Sequence, residues 1–171
     1  MKKLTSYILA LSCGFGSAIY AEETPAVPAL KAETVVETPT ETTKIEEKQN
    51  ITVYKSATCG CCKGWVSHLE DNGFAVKTHD MKDMSQIKKM AGITPKLSSC
   101  HTAMIDGYVI EGHVPASDIK RLLKERPDIK GLTAAGMPLG SPGMEMPDGR
   151  KDAYKVLSID KEGKTAVFAE H

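Results

Sequence analysis

ITVYKSATCGCCKGWVSHL, residues 51–69, decides the fold in three pieces. ITVYK (51–55) alternates and is β-branched, so it reads as a first strand. A short Ser/Thr/Gly turn follows, with Cys59, Cys61 and Cys62 inside four residues. From about Cys62, the residues Trp65, Val66 and Leu69 recur at helical spacing, and Gly73 offers a stop. Three thiols therefore sit where a strand hands over to a helix.

Working outward, FAVKTHDM (74–81) returns as a strand and MSQIKKMAG (84–92) reads as a short helix ended by Gly92. HTAMIDGYVIEG (101–112) holds two β-like runs around Asp106-Gly107, a hairpin signal. Pro115 starts a helix with Ile119, Leu122 and Leu123 on one face, stopped before Pro127. The order β-α-β-α-β-β-α is the thioredoxin order. The fold class is α/β: a thioredoxin-like domain, then a Gly/Pro/Met loop (131–149), then an added C-terminal hairpin, AYKVLSI and TAVFAEH.

On the other side lie two segments of different character. MKKLTSYILALSCGFGSAIYA (1–21) has two lysines, a short apolar core and small residues, the pattern of a secretory signal cleaved near Ala21. Cys13 is a poor lipidation site, because Leu11 stands one place too late. The apolar core is too short to span a membrane permanently. Residues 22–50 hold seven acids, three bases and no aromatic residue. They read as a disordered acidic spacer rich in Thr and Pro, which leaves 51–171 as the folded domain. The destination reads as the bacterial periplasm. The 171-residue chain is formally neutral, so no nucleic-acid footprint exists.

An oxidising compartment pairs free thiols. The mature chain would carry Cys59, Cys61, Cys62 and Cys100, but three crowd one turn, so two bridges stapling distant loops cannot be drawn. A helix N-terminus stabilises thiolates, which are both nucleophiles and metal ligands. Cys59 and Cys62 could serve thiol–disulfide exchange. Cys61 is then a competing thiol, whereas for a metal site it is a further ligand. Soft thiolates select Cu(I), zinc or iron–sulfur clusters. A single zinc usually draws Cys pairs from two elements, and a ferredoxin cluster needs other spacing.

Supporting residues follow. In the thioredoxin layout the loop before the third strand lies beside the cysteine turn, which brings Cys100 and His101 near it. His113, after the hairpin, is a further candidate ligand. His68, His79 and His171 read as surface residues. Of eight methionines, Met81, Met84, Met90 and Met104 read as packing. Met137, Met144 and Met146 occupy GMPLGSPGMEMPDG (136–149), where Gly and Pro deny a regular element. Thioethers there tilt the metal toward copper.

SATCGCCKGW, LSSCHTAMIDGYVIEGHVP and GMPLGSPGME together resemble the CopG family of periplasmic copper-resistance proteins. The resemblance covers nearly all of 51–149. It implies a thioredoxin-like domain that has exchanged dithiol chemistry for cysteine-bridged, multinuclear copper cycling between Cu(I) and Cu(II). The implied ligands are Cys59, Cys61, Cys62 and Cys100, with His101, His113, Met137 and Met144 auxiliary. Copper ions, and other periplasmic copper-handling proteins, would be the partners. Two departures weaken a thioredoxin-like reductase: C-G-C-C replaces C-G-P-C, and Pro95 lies too early to be the usual cis-proline. Whether copper is turned over, as by an oxidoreductase, is left open by these residues.

Overall fold

The computed structural model describes residues 48–171. The expected signal segment (1–21) lies outside the described residues, as does the expected spacer up to 47. Asn50 already pairs in the first strand.

The chain runs β1 (Asn50–Lys55), α1 (Gly60–Asp71), β2 (Ala75–Asp80), α2 (Ser85–Met90), a 3-10 turn (Pro95–Leu97), β3 (Thr102–Ile105), β4 (Tyr108–Gly112), α3 (Ala116–Glu125), β5 (Gly131–Ala134), β6 (Lys155–Ile159) and β7 (Thr165–Glu170). One seven-stranded sheet has the order β2-β1-β3-β4-β5-β6-β7. β1 and β2 are parallel, as are β4 and β5, and each pair is joined through a helix. The β3–β4 hairpin turns at Asp106-Gly107, where both residues have positive φ, as the Asp-Gly pair requires.

Strand periodicity sorts side chains to two faces. Ile51, Val53, Ala103 and Ile110 share one core with Trp65 and Leu69 of α1 and Ile119 and Leu122 of α3. Val109 and Met104, one register step away, pack instead with Ala91 and Ile93 after α2. Helices α1 and α3 thus cover one face and the α2 segment the other. Trp65 is fully buried, and its indole N–H donates to the Val114 carbonyl (2.9 Å), tying α1 to the chain just after β4. Among the described residues no helix is long and apolar enough to cross a membrane.

The expected element order is present, with one correction. The segment from 131 does not begin as loop: Gly131–Ala134 is a buried strand inserted between β4 and β6. It makes the C-terminal hairpin continuous with the main sheet. Gly131 is necessary, because a Cβ there would collide with the Val109 backbone.

Candidate metal centre

Cys59 is the N-cap of α1. Its extended backbone turns the chain into the helix, and its sulfur accepts the Cys62 N–H at 3.3 Å, satisfying an otherwise unpartnered donor of the first turn. One turn apart on the helix, Cys59 and Cys62 are joined as a disulfide. Cys61 points to the same place, with its sulfur 3.5 Å from that of Cys59. Cys61 and Cys100 carry free thiols, whereas the sulfurs of Cys59 and Cys62 become available as thiolates only on reduction of the bridge.

Cys100 arrives from the loop before β3, as the topology predicts, and its sulfur lies 3.7 Å from Cys61. All four sulfurs are within 4.8 Å of one another. A tetrahedral ion with metal–sulfur bonds of about 2.3 Å has ligand–ligand edges of about 3.8 Å, close to the separations of Cys61 from Cys59 and from Cys100, whereas Cys59 and Cys62 must part on reduction to span such an edge.

Two buried imidazoles complete a second group. Cys100 Sγ lies 3.2 Å from His101 Nδ1 and 3.1 Å from His113 Nε2, so this one sulfur belongs to both groups. His113 Nδ1–H donates to the Pro142 carbonyl (2.8 Å), which leaves Nε2 with its lone pair toward Cys100. His101 packs against the Trp65 indole with ring centroids 4.3 Å apart, and its buried Nε2 has no hydrogen-bond partner. Burial, reinforced by His113 and Lys88, pushes the His101 pKa down to about 3. Burial also lowers that of His113. Both rings are therefore neutral, the form that ligates. Burial and then Cys61 push the Cys100 thiol up to about 12, so a bound cation must displace its proton. Two neutral imidazoles, His101 through Nδ1 and His113 through Nε2, and the crowded sulfurs form a donor set that fits a soft cation.

The loop after β5 closes over this cluster. Its contact with α1 needs two glycines: a Cβ on Gly64 would fall 2.9 Å from Gly143 Cα, and one on Gly143 (φ +82°) would strike the Cys61 carbonyl. Met144 follows directly. At the other end Gly136 N–H donates to the Ser98 carbonyl (3.0 Å), and the Ser99 hydroxyl donates to the Gly136 carbonyl. Met137 follows Gly136. Both candidate methionines are thus chain neighbours of loop anchors on the site, with Met137 54% exposed and Met144 half-buried.

Other readings change. His68 is no simple surface residue: its Nε2 accepts the Ala116 N–H (3.1 Å) at the start of α3. His79 is half-buried and stacks on Tyr54. His171 stacks on Tyr154 and meets Asp118 at 2.8 Å. Met104 packs as expected, but Met90 is 80% exposed. Sequence reasoning missed Ser99, the Pro142 carbonyl and Glu111 as supports. A glutamate inside the otherwise apolar run YVIEG was the available signal for Glu111.

Two solved structures, described as copper resistance protein CopG form 1 and form 2, match the chain at 50% identity. Each match covers 73% of this chain and 98% or 99% of the other, with TM-scores of 0.69 and 0.70. A family model described as a protein of unknown function, DUF411, matches residues 97–144, from the Cys100 loop to Met144. No curated protein matches.

Proposed function

The chain belongs to the CopG family of copper-resistance proteins, and from that premise we propose that it is an exported copper-binding protein that holds copper through a multinuclear cysteine–thiolate site. The carrying observation is the Cys100 sulfur, common to the cysteine group and to the histidine group. A sulfur placed between two ligand sets is suited to bridging more than one ion. In this reading Cys59, Cys61, Cys62 and Cys100 are the primary ligands. His101 and His113 complete the coordination, and Met137 and Met144 supply thioethers as the loop closes. Residues 1–21 direct export to the periplasm and are removed, and the chain from 22 to the start of β1 at Asn50 is a spacer ahead of the domain.

The Cys59–Cys62 pair gives the site a route to copper cycling. Two Cu(II) ions each take one electron as the two thiols join in a disulfide, which yields two Cu(I), one S–S bond and two protons. A dithiol reductant reopens the bridge. Copper here is cargo and substrate. The competing reading, a thiol–disulfide oxidoreductase built on Cys59 and Cys62, is weaker because Cys61 stands beside the bridge as an intramolecular competitor.

Metal analysis of anaerobically purified, reduced protein tests the proposal. More than one copper per chain, lost in Cys61→Ser, is the expected result. Undiminished copper in that variant contradicts a multi-thiolate site. Disulfide reduction by the copper-free protein at thioredoxin-like rates would shift the primary function to thiol exchange.

A further inference from the structure

Glu111 is fully buried, yet it carries a carboxylate in the middle of the sheet. Its Oε1 accepts from the Ser99 N–H (2.6 Å) and from the Lys88 ammonium of α2, and its Oε2 accepts from the Thr102 hydroxyl (2.6 Å). Lys88 Nζ also lies 3.2 Å from Thr102 Oγ1. Ser99 and Thr102 bracket Cys100 and His101 in the chain. The Ser99 hydroxyl continues the network to Gly136 in the methionine loop. The approach is built in from the far side too: Gly112, at φ +72°, leaves out a Cβ that would fall 2.5 Å from that of Ser99.

The location of this ion pair is informative. A buried pair is a weak device for stability, because apolar residues of similar volume often do as well or better. A carboxylate that must be satisfied on every side does, however, fix whatever its partners belong to. Cys59, Cys61 and Cys62 need no such help, since the helix sets their positions. Cys100 sits on a connection between a 3-10 turn and β3, with no repeating hydrogen bonds of its own.

We propose that Glu111, charge-balanced by Lys88, is a positioning residue that holds Cys100 within reach of Cys61 and the two imidazoles. It touches neither sulfur nor metal, and acts through the Ser99 N–H and the Thr102 hydroxyl. Its consequence for copper rests on the function proposed above, while its consequence for cysteine geometry does not.

Two full-length variants in a common background separate positioning from bulk. K88M/E111Q keeps an oxygen that can accept the Ser99 N–H without leaving a buried charge unpaired. K88M/E111L removes that acceptor. In copper-free protein with the Cys59–Cys62 bridge intact, a short bis-alkylating reagent should cross-link Cys61 to Cys100, scored by mass spectrometry. Competition against a chromophoric chelator reads Cu(I) affinity after reduction. The leucine variant should cross-link several-fold more slowly and bind Cu(I) about 10–100-fold more weakly, the range for support residues behind metal ligands, while the glutamine variant stays within about threefold of wild type. Equal cross-linking in the two variants overturns the proposal. Should the leucine variant fail to fold, Thr102→Val removes one hydrogen-bond arm and must slow cross-linking in the same direction. Wild-type protein that cross-links but binds no Cu(I) would end the copper reading and leave the positioning role standing.

Discussion

The cysteine turn and the methionine loop meet at one site but are held there by different physics. Residues 59–62 are placed by the start of a regular helix, so their spacing in sequence is their spacing in space. Residues 136–146 have no repeating element. They are placed by distant anchors: Gly136 on Ser98 and Ser99, Pro142 on His113, and Gly143 on the first turns of α1. A helix-borne ligand should therefore fail only when it is itself removed. A loop-borne ligand should fail when any anchor is removed, even one with no chemistry.

The sharpest test of that contrast uses the residue common to both ligand groups. Cys100→Ser should reduce Cu(I) affinity by more than the roughly 100-fold upper range of support-residue changes, with the domain still folded. Chelator competition and circular dichroism read the two outcomes. A loss no greater than that of Cys61→Ser would mean that Cys100 is not shared.

Next in size is a change with no ligand atom. Gly143→Ala adds a Cβ at positive φ and aims it at the Cys61 carbonyl and the Trp65 N–H. The loop must lift off α1, so thermal unfolding should show a loss of about 2–4 kcal/mol, in the range of named backbone-strain and overpacking mechanisms. Copper affinity should fall with it although every Cys, His and Met remains. Gly136→Ala has nothing within 4 Å of its Cβ, only its positive φ (+75°), and should be the milder of the pair.

Smaller again are the thioethers themselves. Met144→Leu and Met137→Leu conserve volume, so stability should move by less than about 1.5 kcal/mol. If the loop delivers ligands, Cu(I) affinity falls without a change in unfolding temperature. Unchanged affinity in the double variant would reduce the loop to a cover.

The same division explains what could be read in advance. The strand, turn and helix of 51–69, the Asp-Gly hairpin and the nearness of Cys100 to the turn follow from local periodicity and one topology. β5 escaped because four residues beginning with Gly131 show no alternation, and only the partners β4 and β6 make them a strand. The Cys59–Cys62 bridge is a redox state, and no residue pattern encodes which state is occupied. Glu111, His68 and the Pro142 carbonyl act through partners 9 to 48 positions away, distances over which a single sequence carries no pairing signal.

The smallest expected effect concerns His68, at the far end of the helix that carries the cysteines. Its Nε2 accepts the Ala116 N–H, so it serves as a cap for α3 only while neutral. Burial, as the largest cause, lowers its pKa from 6.5. The sign follows from proton counting: below about pH 6.5 the unfolded chain takes up a proton that the folded chain refuses, so acid favours unfolding. The stabilising contribution is complete above the unfolded pKa and is lost as pH falls from there through the lowered folded value. His101 and His113 act in the same direction, so the His68 share must be isolated by difference. His68→Gln offers an amide oxygen to the same N–H and does not titrate. Copper-free wild type should lose stability relative to His68→Gln as pH drops from 7 to 5, by less than about 1 kcal/mol, the worth of an ordinary helix cap. Parallel pH profiles for the two proteins would mean that Ala116 is capped in some other way. An advantage for wild type that grew in acid would show that His68 is protonated in the fold.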